Sequence, residues 1–144
     1  MAVAEPFVVD ASITLSWCFE DESSPSADAV LARLEHGRAV APSVWTLEVS
    51  NAIRSAQRRG RLTDDETPAL VSLLLALPID VDDSLALEHA TGRVLQLARS
   101  FELSTYDAAY LDLALRRGLA IASVDDRLVV AAQAAGVAVL GTLK

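Results

Sequence analysis

RRGLAIASVDDRL, residues 116–128, is the stretch that decides the fold. Two arginines and a glycine close a helical pattern, the apolar run LAIAS follows, and a pair of acids, Asp125 and Asp126, opens the next helical pattern. Glycine just past a helix end supplies a left-handed cap, and a short β-prone run after it reads as a buried strand. The same grammar occurs where EHG meets RAVAP (35–42) and where AAG meets VAVLG (134–141). Helix, glycine and buried strand in repetition are the alternation of an α/β fold with a mainly parallel sheet. Extended along the chain, the pattern predicts strands near 7–10, 38–41, 79–82, 119–122 and 137–140. Helices are expected over about 13–19, 25–36, 43–59, 64–76, 84–100, 105–117 and 126–135. Thr63 with Glu66, and Ser104 with Asp107, fit the S/T-x-x-acid capping box, while Asp82, Asp83 or Ser84 is placed to cap the helix that follows. Arg58 and Arg59 before Gly60, and Arg116 and Arg117 before Gly118, put positive charge at helix C-termini, where the dipole favours it.

The composition bounds what such a sheet can do. The 144 residues suit a single domain, 1–144, with a substantial core, and no linker, low-complexity tract or internal repeat interrupts them. Hydrophobic residues make up 52% but aromatics only 5%, so the core is mostly Ala, Val and Leu. A net charge of −8 argues against holding nucleic acid through global positive charge and leaves only local binding. The sole lysine is Lys144, which removes a GxxxxGK[ST] phosphate loop and an internal Schiff-base lysine. The sole cysteine, Cys18, makes no internal disulfide and no zinc cluster, so it reads as a small core residue in a reducing cytoplasm. No secretory pattern opens the chain. The longest apolar run, LVSLLLALPI (70–79), is cut by Ser72 and Pro78 and falls short of the roughly 20 residues that span a bilayer, so no membrane is expected.

In an open parallel sheet, ligands bind beyond the carboxyl ends of the strands. Asp10 and Ser12 follow the first strand in FVVDAS (7–12). Glu48 lies early in the helix after the second strand, in WTLEVSNAI (45–53), with Asn51 one turn further on the same face. Asp107 lies in the first turn of the helix that leads back into the fourth strand, in STYDAAY (104–110), and Asp125 and Asp126 follow that strand. Each acid alone has an ordinary reading. Asp10 is turn chemistry, Asp107 and Asp125 are caps, and Glu48 is a solvated helix residue, though Trp45, Leu47, Val49, Ala52 and Ile53 around it describe a mostly buried helix. Together, four carboxylates at one rim repel, so their pKa values rise or a cation joins them. His36 and His89 fall inside or at the ends of helices elsewhere and read as surface residues. The remaining partner is a hard divalent cation, Mg²⁺ or Mn²⁺ in preference to zinc, and the implied reaction is metal-assisted hydrolysis of a phosphate ester or phosphodiester.

FVVDAS, WTLEVSNAI, LSTYDAAYLDLA and ASVDDRL, in that order and at these separations, resemble the PIN-domain ribonucleases, specifically the VapC toxins of bacterial toxin–antitoxin pairs. The likeness covers nearly the whole chain. It implies a PIN-domain fold, a central mainly parallel sheet of about five strands flanked by about seven helices. It also implies Mg²⁺- or Mn²⁺-dependent endonucleolytic cleavage of RNA and a VapB-like antitoxin that occupies the active site. Family members commonly form homodimers, and operator DNA is met only through the antitoxin. Carried over by position, Asp10, Glu48, Asp107 and Asp125 are the acidic quartet, with Ser12 and Asn51 supporting it by hydrogen bonds. Asp126 is the other candidate for the fourth acid, and Asp125 is preferred as nearer the strand end. Many relatives carry a basic residue before the tryptophan of the first helix, where this chain has Ser16 before Trp17. RNA therefore needs a local patch. Arg54, Arg58 and Arg61, at roughly helical spacing, are the candidates, a solvated helix end being their plainer reading.

Three other readings stand beside this one. A phosphatase of the haloacid dehalogenase type also places an aspartate after its first strand, but it needs D-x-D, and here the second position is Ser12. A catalytically silent PIN-fold binding module is expected to have lost one or more acids, and none is missing. An RNA-processing PIN nuclease outside a toxin–antitoxin pair shares the site and differs in its biological context.

Overall fold

The structure, a computed structural model, describes residues 5–141. Five short strands form one parallel sheet: β1 (Phe7–Val9), β2 (Ala39–Pro42), β3 (Ile79–Asp82), β4 (Ile121–Ala122) and β5 (Val139–Leu140). Their spatial order is β3-β2-β1-β4-β5, and every pairing is parallel. The chain therefore steps outward from β1 to β2 and β3, then resumes on the other side of β1. That reversal puts the sheet's topological switch point between the carboxyl ends of β1 and β4, the edge where open α/β sheets form a ligand crevice. The inner strands are buried on both faces, as all-parallel strands between helices must be, and so read as unbroken apolar runs.

Helices cover the sheet: α1 (Ala11–Cys18), α2 (Pro25–Arg33), α3 (Val44–Arg58), α4 (Thr67–Ala76), α7 (Thr105–Arg117) and α8 (Asp126–Ala134). Between β3 and α7, α5 (Leu87–His89), a π-turn (Ala90–Val94) and α6 (Leu95–Phe101) follow one another without a break. The expected sheet is present, with strand ends shifted by a residue or two. Gly118 and Gly136 take the left-handed φ (65° and 81°) that the helix–glycine–strand grammar requires. α2 departs from it, ending at Leu34 in right-handed conformation, before the EHG motif is reached. α1 starts earlier than expected because Asp10 itself is its N-cap.

The central element is α7, whose residues Ala108 to Ala114 are all buried. Tyr110, Leu111 and Leu113 are almost wholly enclosed among strands and helices, each contributing about 2 kcal/mol by area removed from water. Small Ala108 and Ala109 let α6 approach closely, forming a second apolar cluster with Val94, Leu97 and Ala98. Among the described residues, no helix is long and apolar enough to cross a membrane.

Two sequence expectations fail in the region between β3 and α7. Asp82, Asp83 and Ser84 do not cap α5, whose N-cap is Ala86 without a side-chain bond. Asp82 instead closes a local turn by accepting the Ser84 N–H and pairs with Arg116 and Arg117 of α7. Burial alone raises the Asp82 carboxyl, but bonds from Ser84 and Arg117 and the charge of Arg116 outweigh it and hold it at about 2. His89 is likewise no free surface residue. Its Nε2 lies 2.8 Å from Oδ2 of Asp112, a fully buried carboxylate that also accepts from Arg116 Nε at 2.9 Å. Asp112 sits inside the DAAYLDLA motif and stood out for no reason in the sequence, since a carboxylate at a core helical position is legible only once its cationic partners are located.

Candidate active site

Asp10 stands at the mouth of the β1–β4 crevice and is 3% exposed. Its extended backbone ends β1 and its carboxylate starts α1, with Oδ1 accepting the Ile13 N–H at 3.0 Å. Ser12 Oγ donates to the same carboxylate at 2.8 Å. From the other side of the crevice, Ser123 Oγ, just beyond β4, donates to Oδ2 at 2.5 Å. The two serines also tie down the loop after β4. Val124 N–H donates to Ser12 Oγ, and Asp125 N–H donates to Ser123 Oγ. Despite three donors, burial pushes the Asp10 carboxyl up to about 6, and the charge of Asp125 adds to the rise. Buried Ser123 was passed over in the sequence, although its place between the fourth strand and Asp125 was available as a signal.

Glu48 reaches the site from α3. That helix is held against α1 by Trp45, whose Nε1 donates to Thr14 Oγ1 at 3.0 Å. Thr14 in turn donates to the Asp10 carbonyl, so Trp45 couples α3 to the residue that opens α1. Glu48 is half-buried, and its Oε1 accepts from the Tyr110 hydroxyl at 2.5 Å. Burial and the nearby charge of Asp107 raise its carboxyl against the opposing effect of that bond. The expectation of a mostly buried α3 holds for Trp45 and Val49 but fails at Leu47, which is 73% exposed.

Asp107 occupies the first turn of α7, where Ser104 Oγ accepts its N–H as the cap. Burial, then the charge of Asp125, raise its carboxyl, with Ser104 and Arg127 working against them. Asp125 is the N-cap of α8 and spends Oδ1 on the Arg127 and Leu128 N–H groups. Its charge reaches both Asp10 and Asp107. Neighbouring Asp126 is exposed and lines a depression with Phe101, Glu102 and Arg127. The like charges thus form a linked set: Asp10 to Asp125, Asp125 to Asp107, Asp107 to Glu48.

Asn51 is exposed and lines a groove of about 340 Å³ that leads from Glu48 past Ser55 to Arg59 and Arg61. The three expected RNA-contacting arginines do not share one helical face. α3 stops at Arg58, and Arg61 lies beyond the left-handed Gly60. Arg61 is bound by Asp21 at 2.8 Å and Glu22 at 3.1 Å and stacks over Phe19. Arg54 opens onto a different, apolar cavity between α3, α4 and β3, and Arg58 is exposed at the helix end. Arg59, expected from the sequence as a helix-dipole residue, shares the groove with Glu48 and Asn51, as does Arg61, whose guanidinium is already engaged by Asp21 and Glu22.

Among the described residues, no group of three or more His, Cys, Asp or Glu side chains is gathered closely enough to cage a cation. The donor chemistry nonetheless fits a hard one. The linked acids offer only oxygen, and Asp10 is buried with hydroxyl and amide donors but no basic partner. Mg²⁺ keeps several waters and takes as few as one or two carboxylates directly, so a looser set of acids suffices for it.

An all-parallel five-stranded sheet with aspartates at its topological switch point is the α/β arrangement in which open sheets place their binding sites. The model of the PIN domain family matches residues 7–134, and the chain belongs to that family. Within it, the chain is 32% identical over 126 residues to Ribonuclease VapC3 of Mycobacterium tuberculosis, in strains CDC 1551 and H37Rv, spanning 86% of this chain and 85% of the relative. This places it among the VapC-type PIN ribonucleases. The crystal structure of PAE2754 from Pyrobaculum aerophilum shares the fold at a TM-score of 0.67 and 22% identity, covering 91% of this chain and 86% of that one.

Proposed function

We propose that this protein is a Mg²⁺- or Mn²⁺-dependent endoribonuclease toxin of the VapC type, inhibited by a VapB-like antitoxin and acting on RNA in the cytoplasm. The observation that carries the reading is the linked set of carboxylates around the β1–β4 crevice, anchored on Asp10 with its carboxyl at about 6. Asp10, Glu48, Asp107 and Asp125 are the residues that hold the cation. When bound, it supplies positive charge to neutralise them and Lewis acidity toward phosphate and water.

The chain's own residues do the positioning. Ser12, Ser123 and the Ile13 N–H fix the Asp10 carboxylate in one orientation. Asp125 caps α8 with Oδ1, which leaves Oδ2 for the site. RNA lies along the groove from Glu48, where Asn51 and Arg59 meet its backbone. A positively charged antitoxin segment suits the same acidic crevice in an acidic protein. The chain pairs as a homodimer through α4. That helix carries no charge, and none of its residues is buried within the chain. A protein of net charge −8 meets its own copy most readily across such an uncharged face.

The test is cleavage of total bacterial RNA with mapping of the new ends, comparing wild type with Asp10→Ala, each with Mg²⁺ or Mn²⁺ and with chelator. Discrete cuts that require both the metal and Asp10 are expected. No cuts under any condition, together with no metal binding, would overturn the nuclease and leave a silent binding module.

A further inference from the structure

Tyr110 lies one turn after Asp107 on α7 and is 1% exposed in the main apolar core, among Phe7, Trp45 and aliphatic side chains. A phenylalanine would fill that space without bringing a polar atom into it. The hydroxyl instead crosses from α7 to α3 and donates to Glu48 Oε1 at 2.5 Å, joining residues 62 positions apart. That is the only hydrogen bond of the Glu48 carboxylate among the described residues.

Glutamate has three rotatable bonds, and a half-buried one at a groove edge has several places to go. A donor fixed in the core removes that freedom. We propose that Tyr110 is a positioning residue for Glu48: its hydroxyl occupies Oε1 and turns Oε2 toward the crevice, where the cation and the substrate phosphate are held. The proposal rests on the reading of Glu48 as part of a metal site. It extends the familiar rule that groups hydrogen-bonded to metal ligands set their orientation, at about 10–100-fold in metal affinity or activity when removed.

The experiment is Mn²⁺ titration, followed by calorimetry and by electron paramagnetic resonance, on wild type, Tyr110→Phe, Glu48→Ala and the double variant. Tyr110→Phe is expected to keep its circular dichroism spectrum and to bind Mn²⁺ about 10–100-fold more weakly. In the Glu48→Ala background the same change is expected to have no further effect, because the hydroxyl acts through that carboxylate. Wild-type affinity in Tyr110→Phe overturns the proposal. So does an equal loss in both backgrounds, which marks a merely structural role. Should Tyr110→Phe fail to fold, Glu48→Asp keeps the charge but withdraws it from the hydroxyl by one methylene, and wild-type affinity there overturns the proposal as well. If wild type binds no Mn²⁺, or Glu48→Ala binds it as wild type does, the metal-site reading itself fails and takes this one with it.

Discussion

Asp10→Asn separates the cost of the site from its use. In the folded chain burial pushes the Asp10 carboxyl up to about 6, from about 3.9 in an unfolded chain. Its native pKa is raised, so between these values the native state holds a proton that the unfolded state has released. Stability therefore falls as pH rises through the window from about 4 to about 6, and the penalty is fully present above it. Two units correspond to about 3 kcal/mol at 1.36 kcal/mol per unit. The amide is isosteric, its oxygen can still accept from Ile13 N–H, and it carries no charge to desolvate. In chelator at pH 7.5, Asp10→Asn is thus expected to be more stable than wild type by about 3 kcal/mol, or on the order of 10 °C in melting temperature. Urea denaturation of both proteins from pH 4 to pH 8 checks it, the gap closing at the acid end. RNA cleavage by the same variant is expected to be absent. A gap that is constant with pH, or a variant less stable than wild type at pH 7.5, would refute the assignment of a buried, uncompensated charge to Asp10.

Ser123→Ala removes the donor on Asp10 Oδ2 and the acceptor of the Asp125 N–H, so about 1–2 kcal/mol of stability and about tenfold in cleavage rate are expected to go, measured by urea titration and initial rates. Asp112→Ala strips a buried partner from Arg116 and His89 and is expected to cost about 3 kcal/mol in thermal unfolding, while Mn²⁺ binding by the remaining folded protein is unchanged. Leu75→Glu, at a position 81% exposed on α4, is expected to leave the circular dichroism spectrum intact and to shift a dimer to monomer in light scattering after size exclusion.

The sheet and most helices were legible because each local signal agreed with its neighbours. α7 shows this best, since Ser104 before it and Gly118 after it fix its bounds as Thr105–Arg117, where the pattern placed them. α6 shows the limit. It ends at Glu102, a non-glycine residue at φ 53°, a left-handed position that costs of order 1 kcal/mol and leaves no mark in composition. Strand order alone predicts that Asp10 and Asp125 stand beyond the carboxyl ends of β1 and β4, the sheet edge to which Glu48 and Asp107 are also assigned. The bonds that hold Asp10 and Glu48 are not legible there, because Ser123 and Tyr110 act through partners 113 and 62 positions away. The ion pairs of Arg61 are hidden for the same reason, as helical spacing says nothing of Asp21 and Glu22 about forty residues earlier.

The hydroxyl of Ser123 on the carboxylate of Asp10 joins positions 113 residues apart. A chain still leaving the ribosome possesses Asp10 and Glu48 long before it possesses Ser123 and Asp125. The crevice cannot close on an unfinished polypeptide, and a prematurely terminated one lacks a wall. The Asp10 site takes its shape only after residues 123–125 have been made, so synthesis itself sets a delay between the first acid and the assembled site.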